Sequence, residues 1–201
     1  MLDAALRRLI DPPLDAAGRR LAAIGVGADA VTLGGFAVGL LAVPLIAWEH
    51  YAAGLAVILA NRLADGLDGA IARRRGPTDF GGYLDIVCDF LIYAAVPFAF
   101  ALARPENAVP AAFLVLSFVG TGSSFLAYAI IAAKRGAQTT RRGAKAFYYL
   151  GGLTEGSETI ALFVAVCLFP SAFPWLAWGF GALCLITTLA RIAAARRDFR
   201  G

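Results

Sequence analysis

The chain has one histidine, one methionine, three cysteines and only 16% charged residues among 201. His50 falls in a short loop between apolar runs and reads as a solvated or interfacial group, not a catalytic one. Cys88, Cys167 and Cys184 lie inside apolar runs without paired spacing, so they read as packed thiols, neither disulfides nor metal ligands. Low-complexity tracts, internal repeats and a second domain are also missing. No nucleic-acid motif accompanies the net charge of +4. The first residues, with Asp3, Arg7 and Arg8 among them, have no continuous apolar core of the cleavable-signal kind, so the first apolar run is expected to direct insertion. Scarce charge goes with 60% hydrophobic residues and a mean hydropathy of +0.72, which exclude an ordinary soluble domain.

What is present is a series of spanning-length apolar runs, at roughly 29–48, 51–72, 83–103, 108–133, 146–169 and 172–192, each near the ~20 residues a bilayer core requires. The expected fold is an all-α integral membrane protein, with six transmembrane helices in one bundle over 28–201 and an amphipathic juxtamembrane segment over 1–27. In that segment Leu2, Leu6, Leu9 and Ile10 share a face opposite Arg7, Arg8 and Asp11. Pro12-Pro13 are expected to break the helix, and a second short piece sets Leu14, Ala17, Leu21 and Ile24 against Arg19 and Arg20. Both pieces are expected to lie in the cytoplasmic interface. Sixteen of the eighteen Lys and Arg residues fall before the first run, after the second, between the fourth and fifth, or, from Arg191 on, at the end of the sixth and beyond. The positive-inside rule makes those segments and both termini cytoplasmic, leaving His50 and Arg104 outside. Gly35 and Gly39, Gly120 and Gly122, and Gly152 and Gly156 predict close helix packing.

The chemistry concentrates in the stretch from Asp65 to Asp89, D-G-L-D-G-A-I-A-R-R-R-G-P-T-D-F-G-G-Y-L-D-I-V-C-D. Asp65 and Asp68 are three apart and Asp85 and Asp89 four apart, so on helices each pair projects from one face. Gly76 and Pro77 make the turn that brings the two pairs to the same membrane surface. Four converging carboxylates repel one another and partly protonate unless a hard cation holds them. One or two divalent ions resolve this, and oxygen ligands without His or Cys favour Mg²⁺ or Mn²⁺ over Zn²⁺. A two-ion site is the simplest form.

Asp65, Asp68, Gly69, Ala72, Arg73, Gly81, Asp85 and Asp89 fill all eight positions of D-x2-D-G-x2-A-R, a short loop, then G-x3-D-x3-D. In this the chain resembles the CDP-alcohol phosphatidyltransferases. The motif covers about an eighth of the chain, and the pattern of six runs extends the likeness over nearly all of it. The resemblance implies a phospholipid-biosynthetic transferase of the bacterial cytoplasmic membrane, active site cytoplasmic, that moves a substituted phosphate from a CDP-alcohol, CDP-diacylglycerol foremost, to an acceptor hydroxyl with release of CMP. It implies a homodimer and the metal ligands Asp65, Asp68, Asp85 and Asp89, with Asp89 also the base for the acceptor's proton. It assigns Gly69 to close approach of the nucleotide, Arg73 to phosphate and Thr78 to the donor's diphosphate. Ala28-Asp29-Ala30-Val31-Thr32 lines up with the family's P-N-x-x-T segment, with Ala28 and Asp29 in place of Pro-Asn. Asp29 and Thr32 are therefore either nucleotide contacts or helix-start residues only.

The acceptor is less well marked. Lys145 and Arg191 suit a phosphorylated alcohol, or are inside charges obeying topology. Glu155 and Glu158, beside Thr154 in the fifth run, are intramembrane carboxylates that receive an acceptor headgroup, pair with Arg62, or protonate and seal a helix contact. Leu153 stands where glycerophosphate-accepting members of the family are expected to carry Lys. Two other classes compete with the enzyme: an ion-coupled transporter using buried carboxylates, against which stand the single-surface clustering and the absence of an inverted repeat, and a membrane scaffold with an inactive site.

Overall fold

The computed structural model describes residues 2–135, Thr154 and 156–199, with side chains from residue 10 onward. Lys145, Glu155 and Gly152, all singled out above, lie outside the described residues. Among the described residues every regular element is helical and none is a strand. The order is α1 (Leu2–Ala23), α2 (Ala28–Leu40), α3 (Ala42–Ala47), α4 (Tyr51–Arg75), α5 (Asp79–Ala103), a 3₁₀ turn (Pro105–Asn107), α6 (Ala108–Lys134), α7 (Gly156–Leu168), a second 3₁₀ turn (Pro170–Ala172) and α8 (Phe173–Phe199).

Among the described residues four helical stretches, Ala28–Ala47, Asp79–Ala103, Pro105–Lys134 and Pro170–Phe199, are long and apolar enough to cross a membrane. They match four of the six expected spans. The expected second span is a helix of sufficient length, 25 residues, but Arg62, Asp65, Asp68 and Arg73 to Arg75 interrupt its apolar run. Of the expected fifth, 13 residues are described as helix. Outward-facing Leu33, Leu63, Val109, Leu116, Ile130 and Leu189 are more than half exposed, as a surface bathed in lipid allows.

Pro12 and Pro13 do not break the first helix. They lie inside a continuous α1, exposed. Proline's fixed φ is helical, and its penalty is a lost donor and crowding of the carbonyl four residues back. Here the following turns are held to α4, with Gly18 against Ala70 and Leu14 against Gly66. By contrast the first apolar run is divided. It breaks at Leu41 because Pro44 crowds the carbonyl of Leu40 and cannot donate to it.

Association of helices in lipid relies on close packing more than on exclusion of water. A Cβ on Gly35 would lie 2.5 Å from Ala64 Cβ, and one on Gly39 2.9 Å from Asn61 Cγ, so the backbone of α2 lies directly against α4. Gly122 gives the same room to the Phe90 ring. The core ends in an aromatic stack, Phe100 on Phe173 at 4.5 Å with Tyr51 on the other side of Phe100 at 5.5 Å. α2 and α3 pack against both α4 and α5, whereas α4 and α5 make few direct approaches of their own. A gap is thereby kept open between the two helices that carry the aspartates.

The two ends of the molecule differ in chemistry. At one end exposed Trp48 and Trp175 accompany a Glu49–Arg104 ion pair of 2.7 Å, and Arg104's hydrogen bond holds the Glu49 carboxyl below the usual carboxylate range. At the other, Arg75 donates to the carbonyls of Ala22 and Gly25, and Arg135 to those of Asp198 and Phe199.

Candidate active site

The register of the α4–α5 hairpin builds the site. Asp65 and Asp68 precede Arg75, the last residue of α4, by ten and seven positions, and Asp85 and Asp89 follow Asp79, the first of α5, by six and ten. At 1.5 Å per residue both pairs stand about 10–15 Å along their helices from the turn, with Asp68 level with Asp85 and Asp65 level with Asp89. Gly76 makes the turn with φ of 96°, a conformation other residues adopt at a cost. Thr78 then caps α5, its hydroxyl accepting from the Gly81 N–H at 3.0 Å.

One oxygen from each of Asp65, Asp68 and Asp85 lies within 4.8 Å of the others. Like charges this close repel by roughly 3–4 kcal/mol per pair at an effective dielectric of 20, so the cluster demands compensation. An ion about 2.1 Å from each oxygen needs them some 3–4 Å apart, which a small rotamer adjustment supplies. The donor set is all hard oxygen. The residues present therefore fit a divalent Mg²⁺ or Mn²⁺ ion.

Asp89 has a different neighbour. Its Oδ1 accepts from Arg62 Nη2 at 2.7 Å, while Arg62 Nη1 stands 3.8 Å from Asp65 Oδ2. Arg62 is the cationic member of the site that the motif leaves out. Its place three residues before Asp65, on the same helical face, was the available signal. Among the described residues the carboxylates paired with Arg62 are Asp65 and Asp89, while Glu155, expected as one possible partner, lies outside them.

Around this core the expected donor residues divide. Thr32, on the fifth residue of α2, donates to Asp68 Oδ2, so it is not merely a helix-start residue. Asp29 sits in the first turn of α2, its Oδ1 3.1 Å from where a Cβ on Gly81 would be. Gly81 thus lets the start of α5 approach α2. Gly69 is half-buried, and a Cβ there would meet only the Arg73 guanidinium, at 3.4 Å. Arg73 itself is exposed and paired at 2.9 Å with Asp15 of α1. Glu158 lies in the first turn of α7 and accepts from the Ser157 hydroxyl at 3.0 Å. Arg191 is buried in α8, donates to the Thr121 carbonyl at 2.9 Å and lies over the Phe125 ring. Neither Glu158 nor Arg191 is among the carboxylates and guanidinium gathered at the aspartates.

Comparison with known proteins agrees with this geometry. The family model described as CDP-alcohol phosphatidyltransferase matches residues 26–190. The chain is 56% identical over 193 residues to the Escherichia coli inner membrane protein YnjF, covering 96% of this chain and 94% of that one. Over a shorter stretch of 87 residues, 43% of this chain and 41% of the relative, it is 42% identical to an archaetidylinositol phosphate synthase of Methanothermobacter thermautotrophicus. Among solved structures, the phosphatidylinositol phosphate synthase PgsA1 of Mycobacterium tuberculosis with CDP-DAG bound superposes with a TM-score of 0.66 at 27% identity, over 91% of this chain and 93% of that one. The same synthase in complex with manganese and citrate gives a TM-score of 0.65 at 26% identity, over 90% and 87%. With the aspartate hairpin, its flanking helix and the family model all coinciding over residues 26–190, the chain belongs to the CDP-alcohol phosphatidyltransferase family, the membrane-spanning transferases of phospholipid biosynthesis.

Proposed function

We propose that the protein transfers a phosphatidyl group from CDP-diacylglycerol to the hydroxyl of a small alcohol, releasing CMP, at the cytoplasmic face of a bacterial inner membrane. The observation that carries this reading is the convergence of Asp65, Asp68 and Asp85 in the gap between α4 and α5. The CDP-DAG complex of PgsA1 supports the donor, and the inner-membrane relative supports the location. A divalent ion held by Asp65, Asp68 and Asp85 would neutralise charge on the diphosphate as CMP leaves. Thr32 reaches the same gap from α2 through its bond to Asp68, Asp29 stands beside Gly81 at the start of α5, and both are assigned to the nucleotide end. Gly69, by lacking a side chain, leaves room for it, while Arg73 and the Thr78 hydroxyl are assigned to phosphate oxygens.

In the transfer the acceptor oxygen bonds to the lipid-bearing phosphorus, the bridging P–O bond breaks, and CMP departs with the electron pair. Asp89 takes the hydroxyl proton on the oxygen not committed to Arg62. The acceptor is assigned to the side of α7 and α8, where Glu158 and Arg191 stand, with Lys145 and Glu155 further candidates. An inositol phosphate is the acceptor to test first, since relatives in two comparisons are synthases of inositol-phosphate lipids. The family's homodimer is carried over on the same footing. The test is purified protein with CDP-diacylglycerol, Mg²⁺ or Mn²⁺ and a panel of alcohols, following CMP. Release with one acceptor supports the reading, and none with any acceptor refutes it.

A further inference from the structure

We infer that Asp15, in helix α1, is a positioning residue for the nucleotide donor, holding the Arg73 guanidinium back beside Gly69, where a CDP-linked diphosphate is to bind. The inference rests on reading Arg73 as a phosphate ligand of that donor, and it extends the donor site to a helix outside the signature. Nη2 of Arg73 donates to Asp15 Oδ1 at 2.9 Å. Nη1 of the same group stands 3.4 Å from where a Cβ on Gly69 would be, one turn back along α4 and next to Asp68. An arginine in the last turn of a membrane helix ordinarily extends its head outward to water. Arg73 is instead folded inward over the turn that carries Asp68, and the carboxylate that meets it there is Asp15.

The place of Asp15 is set by packing that involves no ligand. On either side of it α1 lies directly against α4: a Cβ on Gly66 would be 2.6 Å from Leu14 Cδ1, and one on Gly18 2.8 Å from Ala70 Cβ. Arg75 ties down the far end of α1, donating to the carbonyls of Ala22 and Gly25 at 3.2 Å each. Asp15 is thus a short side chain on a docked helix, and it loses little freedom in pairing, the cost that makes most exposed ion pairs worth little. With the two side chains 57% and 39% exposed, the pair serves to orient a group more than to stabilise the fold. Orientation is what a phosphate ligand needs. The guanidinium carries five N–H donors in one rigid plane, so one amino group can stay on Asp15 while the other meets a phosphate oxygen beside Gly69. Filling the site therefore does not require the pair to break.

The test measures CDP binding to detergent-solubilised full-length protein in Mg²⁺ by titration calorimetry, with no acceptor and no turnover. Asp15→Asn is expected to weaken CDP about three- to five-fold, and Asp15→Glu to stay within about two-fold of the wild type. Arg73→Gln should weaken it at least about ten-fold, and adding Asp15→Asn to Arg73→Gln should change nothing further, because the carboxylate acts only through the guanidinium. In the CMP-release assay Asp15→Asn should raise the KM for CDP-diacylglycerol more than it lowers kcat. If Asp15 only docks α1, Asp15→Asn lowers the Tm and leaves CDP affinity as in the wild type, which overturns the inference. Tighter CDP binding in Asp15→Asn, the mark of a carboxylate competing with phosphate, overturns it too, as does a full effect of Asp15→Asn in the Arg73→Gln background. A wild type that binds no CDP refutes the donor reading and the inference with it, whereas CDP affinity untouched by Asp15→Asn removes the inference alone.

Discussion

At the scale of single residues the site is organised by charge. Asp65, Asp68 and Asp85 bring three carboxylates within 4.8 Å, and Asn in their place keeps the shape while removing the charge that would hold an ion. Each Asp→Asn variant is expected to insert normally and to lose about 10²–10³ in kcat, the equivalent of roughly 3–4 kcal/mol of transition-state stabilisation, as measured by CMP release. Excess EDTA should have the same effect on the wild type. Asp89, bound to Arg62, is expected to behave differently from Asp65. Asp65→Asn should raise the KM for the CDP donor as well as lower kcat, whereas Asp89→Asn should act chiefly on kcat. Equal losses of donor affinity would remove the base assignment. The eight motif positions were legible because fixed spacings of Asp and Gly on helices admit few other uses. Arg62 was visible as an intramembrane charge three residues before Asp65, but its pairing with Asp89 depends on how α4 and α5 face each other, and the hairpin's spacing does not contain that information.

At the scale of elements, what matters is which helices touch and which stay apart. α2 reaches α4 through Gly35 and Gly39, and from that contact come the Thr32 bond to Asp68 and the Asn61 bond that orients Arg62. Gly35→Val is expected to push α2 from α4, costing about 1–3 kcal/mol in overpacking and lowering the Tm in detergent. Because the same contact aims Asn61 and Thr32 at the site, kcat should fall with it. A variant with a lowered Tm and undiminished turnover would show that α2 serves packing alone. Helix existence was legible from apolar run length, and Gly35, Gly39 and Gly122 as packing points from their size. The continuity of α1 through Pro12 and Pro13 was not, since it depends on Leu14 and Gly18 meeting α4, a contact between segments some fifty residues apart. The polar character of α4 follows from its function: it gives up a uniformly apolar run to carry Arg62, Asp65 and Asp68 into the gap.

At the scale of the whole molecule, orientation in the membrane decides whether the site meets its substrates. Of the cations outside Arg62 and the buried Arg191 of α8, fifteen lie in segments assigned inside and Arg104 alone opposite, a partition that the positive-inside rule reads without help from acidic residues. The described structure groups the chemistry in the same sense. The 48–50 and 104–107 connections share an end through the Glu49–Arg104 pair, with Trp48 and Trp175 exposed as amphipathic rings are at a headgroup boundary. Arg73 to Arg75 mark the opposite end, about 10–15 Å beyond the aspartates. A cysteine placed at His50, in a chain whose Cys88, Cys167 and Cys184 are replaced by Ser or Ala, is therefore expected to react with an impermeant thiol reagent in intact cells. One placed at Arg74 should react only after the membrane is permeabilised. The native thiols are buried, so their replacement serves to silence background. The reverse pattern would put the aspartates on the side away from cytoplasmic CDP-linked lipids and would overturn the proposed function along with the topology.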